Sequence, residues 1–266
     1  MVWLFFDSRF HDSLLTISML LAVDIGNTST KFGLFDGDKP ASKFSVPTIR
    51  NASLDEFKRA LNGRLPENIG SSILCSVVPE NTAPLSSFLA ETTGVAPVVV
   101  DNMFDFGLKV SYEPRNSLGT DRLVNAYAAV ETYGAPAIIC SLGTATTIDV
   151  VSADREFVGG IIGPGMDAMA EALHLKAPRL PLVKIDESAR LLGNTTESSI
   201  RSGIYFGYAA MVEGLITRIR SEAGVSRVIG TGGNAERLGK EFAGMMTVDS
   251  DLLLTGLRLL ATVAGK

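Results

Sequence analysis

The same local order occurs twice in this chain: an apolar strand, a loop of glycine and hydroxyl side chains, and a second strand. The first copy runs through residues 20–35 and holds Asp24-Ile25-Gly26-Asn27-Thr28-Ser29-Thr30-Lys31 at its bend. The second runs through 137–151 and holds Ser141-Leu142-Gly143-Thr144-Ala145-Thr146-Thr147. The downstream order repeats as well. Each hairpin leads to a third strand (43–46 and 157–162), a helical stretch, a strand (72–78 and 227–229), a helix, a short strand and a closing helix. A hairpin followed by crossover helices predicts a mixed sheet covered by helices. Duplication of that unit predicts an α/β chain of two lobes with a ligand cleft between them. The predicted division is an extension at 1–18, a first lobe at 19–133 and a second at 134–266.

Local signals support these elements. Ser53-Leu54-Asp55-Glu56 has the form of a capping box, in which Ser53 and Glu56 satisfy orphan amides at a helix start. Asp36-Gly37 is a hairpin turn signal. Leu123, Val124, Tyr127 and Val130 lie on one stripe of a helix at 119–132. Residues 1–18 carry three phenylalanines but no basic start, and Asp7, Arg9 and Asp12 interrupt them, so they make a poor signal peptide. They read as an extension outside the fold, with Met19 an alternative start.

Composition narrows the function classes. Apolar residues make up 46% of the 266 and charged residues 20%, enough for a large core and a buried subunit interface. The formal net charge is -5 with no run of Lys and Arg, which argues against nucleic acid and anionic membrane surfaces as partners. No apolar stretch approaches the roughly 20 residues of a membrane helix. Cys75 and Cys140 each sit inside an apolar run, the pattern of buried reduced thiols in a cytoplasmic protein.

Four segments carry candidate chemistry. In the first loop Gly26 lets the backbone approach an anion, Asn27 and Thr28 offer hydrogen bonds, and Asp24 at a strand end can hold Mg²⁺ as a hard oxygen ligand. The same residues also suit a plain tight turn. The second loop, with Gly143, Thr144 and Thr146, stands at the matching place, and two such loops can clasp a polyphosphate from both sides. Thr231-Gly232-Gly233-Asn234 comes after a strand and opens a helix, where adjacent glycines let a ring or ribose lie on the backbone. The densest polar segment runs from Tyr112 through Glu113, Pro114, Arg115 and Gly119 to Asp121 and Arg122, at a helix start that favours anions. There Arg122 suits a two-pronged bond to a carboxylate, and Asp121 either orients an attacking hydroxyl or caps the helix. His174 lies in an apolar helical stretch and on its own reads as a structural residue. No Walker loop or dinucleotide fingerprint is present.

Taken in order, these segments resemble the type III pantothenate kinases. The match runs from Met19 to near the C-terminus and includes Asp24 to Thr28 with Lys31, Pro114 to Arg122, and Gly143 to Thr147. Gly160 to Gly165, Thr196 to Gly203 and Thr231-Gly232-Gly233 complete it. The resemblance implies duplicated ribonuclease H-like lobes of the actin and sugar-kinase type, and a cytoplasmic homodimer with pantothenate bound close to its interface. It implies ATP-dependent phosphorylation of pantothenate to 4'-phosphopantothenate, the first step of coenzyme A synthesis. Asp24 then belongs to the phosphate–Mg²⁺ site with Gly26, Asn27, Thr28 and Lys31, and Asp121 is the catalytic base. Gly143, Thr144, Thr146, Gly232 and Gly233 serve ATP. Tyr112, Gly119, Asp121, Arg122, His174 and Thr196 contact pantothenate. One position departs from the pattern: the family has Asp where this chain has Ser141, at a site for a monovalent cation, K⁺ or NH₄⁺. A hydroxyl carries no charge, which puts K⁺ dependence in question. It also raises a second reading, a non-catalytic nucleotide-binding regulator of the Bvg accessory factor type.

Overall fold

The computed structural model describes residues 18–187 and 190–264. The extension read at 1–18 lies, Ser18 apart, outside the described residues. Two sheets form. The first holds β1 (Met19–Ile25), β2 (Ser29–Asp36), β3 (Lys39–Pro47), β4 (Ile69–Ser76) and β5 (Val98–Val100), in the order β3-β2-β1-β4-β5. Its first three strands are antiparallel neighbours, while β4 and β5 run parallel to β1. The second holds β6 (Lys109–Val110), β7 (Ala137–Leu142), β8 (Ala145–Val151), β9 (Glu156–Pro164), β10 (Val228–Thr231) and β11 (Thr247–Val248). Its order is β11-β10-β7-β8-β9-β6. The antiparallel β7-β8-β9 and parallel β10 and β11 repeat the pattern of the first sheet. Strand β6 is not expected from the sequence, because two residues are too few to show a period; it pairs with the edge of β9.

Seven α-helices cover the sheets: α1 (Leu54–Leu61), α2 (Pro79–Thr93), α3 (Thr120–Tyr133), α4 (Met166–Lys176), α5 (Thr196–Ala223), α6 (Gly233–Arg237) and α7 (Leu252–Ala264), counted among the described residues. Helix α1 begins as its sequence predicts: Ser53 Oγ accepts from the Glu56 amide at 3.3 Å, and Glu56 accepts from the Ser53 amide at 2.8 Å. Strand β1 is central in its sheet and therefore apolar on both faces. Leu21, Val23 and Ile25 pack with Phe57 and Leu85 of α1 and α2, while Ala22 faces α3 and α7. The second sheet is built alike, with Ile138, Cys140 and Ile148 against α4, α5 and α6, and Ile139 and Val151 turned to α3.

Helices α3 and α7 thus fill the layer between the sheets. Gly256 sets their separation: a Cβ there would lie 2.9 Å from Val124 and Ala128 of α3. This close crossing fixes α3 so that its N-terminus opens between the ends of β1 and β7, where a cleft of about 430 Å³ lies.

Candidate active site

Both hairpins end at this cleft. In the first, Asp24 stands opposite Lys31 of β2 and beside Cys75 of β4. Its carboxylate, only 4% exposed, is 3.5 Å from Lys31 Nζ and accepts from Cys75 Sγ at 3.7 Å. Burial outweighs the Lys31 charge and, helped by the nearby Asp121, pushes the Asp24 carboxyl up to about 6. Burial likewise holds the Cys75 thiol far above its ordinary value, so it stays a donor. Gly26 is required by the turn: its amide bonds Ser29 O at 3.1 Å, and a Cβ would come within 2.9 Å of that oxygen. Arg50 Nη2 donates to Asn27 Oδ1 at 3.0 Å and holds the loop's outer side.

In the second hairpin Ser141 occupies the place of Asp24, opposite Thr147 of β8 and beside Thr231 of β10. The charged pair of the first sheet is matched here by neutral hydroxyls. Gly143 and Thr144 line the cleft, and Thr144 Oγ1 meets Thr28 Oγ1 of the first loop at 2.9 Å. Thr146 does not line it. Its hydroxyl points to the outer face, to Tyr208 at 2.7 Å and Pro164 O at 3.1 Å, and Thr147 faces the cleft instead. The third wall is the turn into α6. Gly232 adopts φ +89, and a Cβ would lie 2.6 Å from Leu142 O, so only glycine fits this contact between β10 and β7. Asn234 Nδ2 then donates to Gly143 O at 2.9 Å and ties the wall to the loop.

The fourth wall is the start of α3. Asp121, half-buried, points into the cleft beside Gly119, where a Cβ would lie 2.5 Å from its oxygen. Burial raises its carboxyl above the ordinary range, against the backbone amides of Arg122 and Asp121, which lower it. Arg122 is buried behind it. Its Nε and Nη2 both engage Asp149 of β8, at 3.1 and 2.5 Å from Oδ1, and its guanidinium lies 5.2 Å from the Tyr112 ring and 5.6 Å from Phe157. His174 and Thr196 lie elsewhere. Thr196 lines a second cavity, of about 830 Å³, between α4 and α5, and His174 Nδ1 bonds Leu180 O of its rim at 2.7 Å.

The cleft therefore gathers Asp24, Gly26, Asn27, Thr28, Lys31, Asp121, Ser141, Gly143, Thr144, Gly232 and Gly233. Tyr112, Gly119 and Arg122 sit next to it, and Thr146, His174 and Thr196 away from it. Sequence reasoning missed Asn125, which also lines it, and gave no role to Thr147 and Asn234, which do so from two of the quoted loops. For Asn125 a signal existed: it stands four residues after Asp121, on the same helix face.

A family model for type III pantothenate kinase matches residues 20–218. The chain belongs to the type III pantothenate kinase family. A curated type III pantothenate kinase from Rhodospirillum centenum is 39% identical over 254 residues, covering 91% of this chain and 97% of its own. Among solved structures, a conserved protein assigned to the Baf family of transcriptional activators from Campylobacter jejuni superposes with a TM-score of 0.59 at 18% identity. That superposition covers 92% of this chain and 98% of the other. A ROK family glucokinase from Streptomyces griseus, solved with glucose and AMPPNP, gives 0.53 at 14% identity, covering 92% and 99%. These likenesses place this pantothenate kinase family member in the duplicated ribonuclease H-like fold of actin and sugar kinases, as its sequence predicted.

Two implied ions fare differently against these residues. Asp24, buried at the foot of a hydroxyl loop and sensing the charge of Asp121, is the hard oxygen chemistry that suits Mg²⁺ beside a phosphate. A monovalent cation does not fit in the same way. Ser141 is neutral, and Asp149, the acid on the same hairpin, is already neutralised by Arg122.

Proposed function

We propose that this chain transfers the γ-phosphoryl group of ATP to the primary hydroxyl of pantothenate, giving 4'-phosphopantothenate in the cytoplasm. The observation that carries this reading is the meeting of both hydroxyl loops and Asp121 in one cleft. Phosphoryl transfer needs alignment and charge neutralisation more than covalent help. The amides and hydroxyls of the Gly26 and Gly143 loops hold the phosphates, Lys31 neutralises charge, and the Gly232 turn takes the nucleoside. Asp24 would hold Mg²⁺, which when bound would supply further charge neutralisation. Asp121 orients the acceptor hydroxyl and takes its proton late. The Nε–Nη2 edge of Arg122 is filled by Asp149 and its side chain also bonds Tyr112, so a pantothenate carboxylate would meet Arg122 beside Tyr112.

His174 and Thr196 lie outside this chain's own cleft, and their assignment to pantothenate requires a homodimer in which the α4–α5 face of one subunit completes the site of the other. The lobes taken to close on the ligands are 19–133 and 134–266. The regulator reading is not favoured, since Asp24, Lys31 and Asp121 all line the cleft. An ATP-consumption assay with and without pantothenate, in Na⁺ and in K⁺, tests the proposal. We expect pantothenate-dependent turnover that is the same in both salts. Absence of pantothenate-dependent turnover in either salt would overturn the kinase reading, and turnover only in K⁺ would overturn the neutral cation position.

A further inference from the structure

Helix α3 faces strand β8 through two adjacent rungs of polar side chains. Arg122 and Asp149 make the first, and it is closed by their ion pair. Asn125, one turn along α3, and Thr147, two residues before Asp149 and on the same strand face, make the second. This rung is open. Asn125 is 2% exposed and its Oδ1 is buried with no partner, while the Thr147 hydroxyl beside it, 9% exposed, leans on Asp149. Both residues line the cleft, whereas Arg122 and Asp149 do not. An unpartnered buried acceptor is costly, so one that persists beside a ligand cleft points to a bound group.

The chemistry of that group is constrained. An amide oxygen only accepts, and the phosphate oxygens of a nucleotide also only accept, so Asn125 Oδ1 is not a phosphate ligand. It needs a donor within one helical turn of Asp121. We propose that Asn125 binds the secondary hydroxyl of the acceptor diol while its primary hydroxyl lies on Asp121. This rests on the pantothenate kinase reading, and it makes the second rung the part of the site that reads a neighbouring hydroxyl.

The test compares pantothenate with its deoxy analogue lacking the secondary hydroxyl, on wild type, Asn125→Leu and Asn125→Ala. Wild type should lose roughly 10- to 100-fold in kcat/KM on the analogue, the usual worth of a hydrogen bond to a buried group. Asn125→Leu should lose a similar factor on pantothenate and nothing further on the analogue, with KM for ATP unchanged. Because the variant removes an unpartnered polar atom, it should melt no lower than wild type without ligand. Equal losses on both substrates, or unchanged kinetics on pantothenate, would overturn the inference and indicate a bound water or a packing role. Should Asn125→Leu fail to fold, Asn125→Ala carries the same comparison. If wild type itself ignores pantothenate, the kinase reading fails instead.

Discussion

Thr28 and Thr144, 116 positions apart, share a hydrogen bond of 2.9 Å between their hydroxyls, and through it the two hairpin loops touch across the mouth of the cleft. The bond is exposed. A polyphosphate that enters between the loops would exchange it for bonds to phosphate oxygens. On the proposed reading it is a weak closure that the nucleotide would replace.

Thr28→Val and Thr144→Val should each raise KM for ATP by roughly 10-fold, the worth of one hydrogen bond to a charged group. KM for pantothenate should stay unchanged. The melting temperature should move by about 2 °C or less, since an exposed hydrogen bond contributes little to stability. Steady-state kinetics in both substrates with a thermal melt checks this, and equal rises in both KM values would show that the loops do not serve the nucleotide alone.

Asp121→Asn keeps the shape of the site and removes the proton acceptor. The expected loss in kcat is on the order of 10²- to 10⁴-fold, with KM for ATP and the melting temperature nearly constant. Full turnover with unchanged KM for pantothenate would remove Asp121 from the base role.

Asp24 links activity to pH. Its carboxyl rises from 3.8 to about 6 on folding, so between those values the folded chain binds more protons than the unfolded chain. Stability contributed by this group is present at low pH and is lost as pH rises through about 6, by about 3 kcal/mol at most. Asp24→Asn should accordingly be more stable than wild type at pH 7.5 without ligand, and the advantage should vanish near pH 4. Affinity for Mg²⁺-nucleotide should show the opposite trend in wild type, weakening below pH about 6 as the carboxylate protonates. Melts and nucleotide titrations from pH 4 to 8 measure both.

Much of this arrangement is legible in the chain. The duplicated order of elements, the Ser53–Glu56 cap and the three glycine turns arise from local chemistry. Which threonine faces the cleft does not. A two-residue loop at 143–144 would have set Thr146 opposite Ser141, whereas the Gly143 amide bonds Ala145 O and makes a three-residue turn. The pairing becomes Ser141 with Thr147, and that one-residue slip sends Thr146 to the other face. The Arg122–Asp149 pair was equally hidden, because it joins a helix and a strand through tertiary packing alone. His174 and Thr196 match family motifs, and neither reaches the cleft of its own chain.

The buried Arg122–Asp149 pair separates a structural from a substrate-binding role. Arg122→Met leaves a desolvated carboxylate on β8 and should cost about 3–5 kcal/mol of stability, whereas Arg122→Met with Asp149→Leu should recover most of it. Urea denaturation of both single variants and the double variant gives the coupling energy. The kinetics should not recover in parallel. If Arg122 meets the pantothenate carboxylate, the stable double variant still has a raised KM for pantothenate and an unchanged KM for ATP. Recovery of both stability and KM would confine Arg122 to holding α3 against β8.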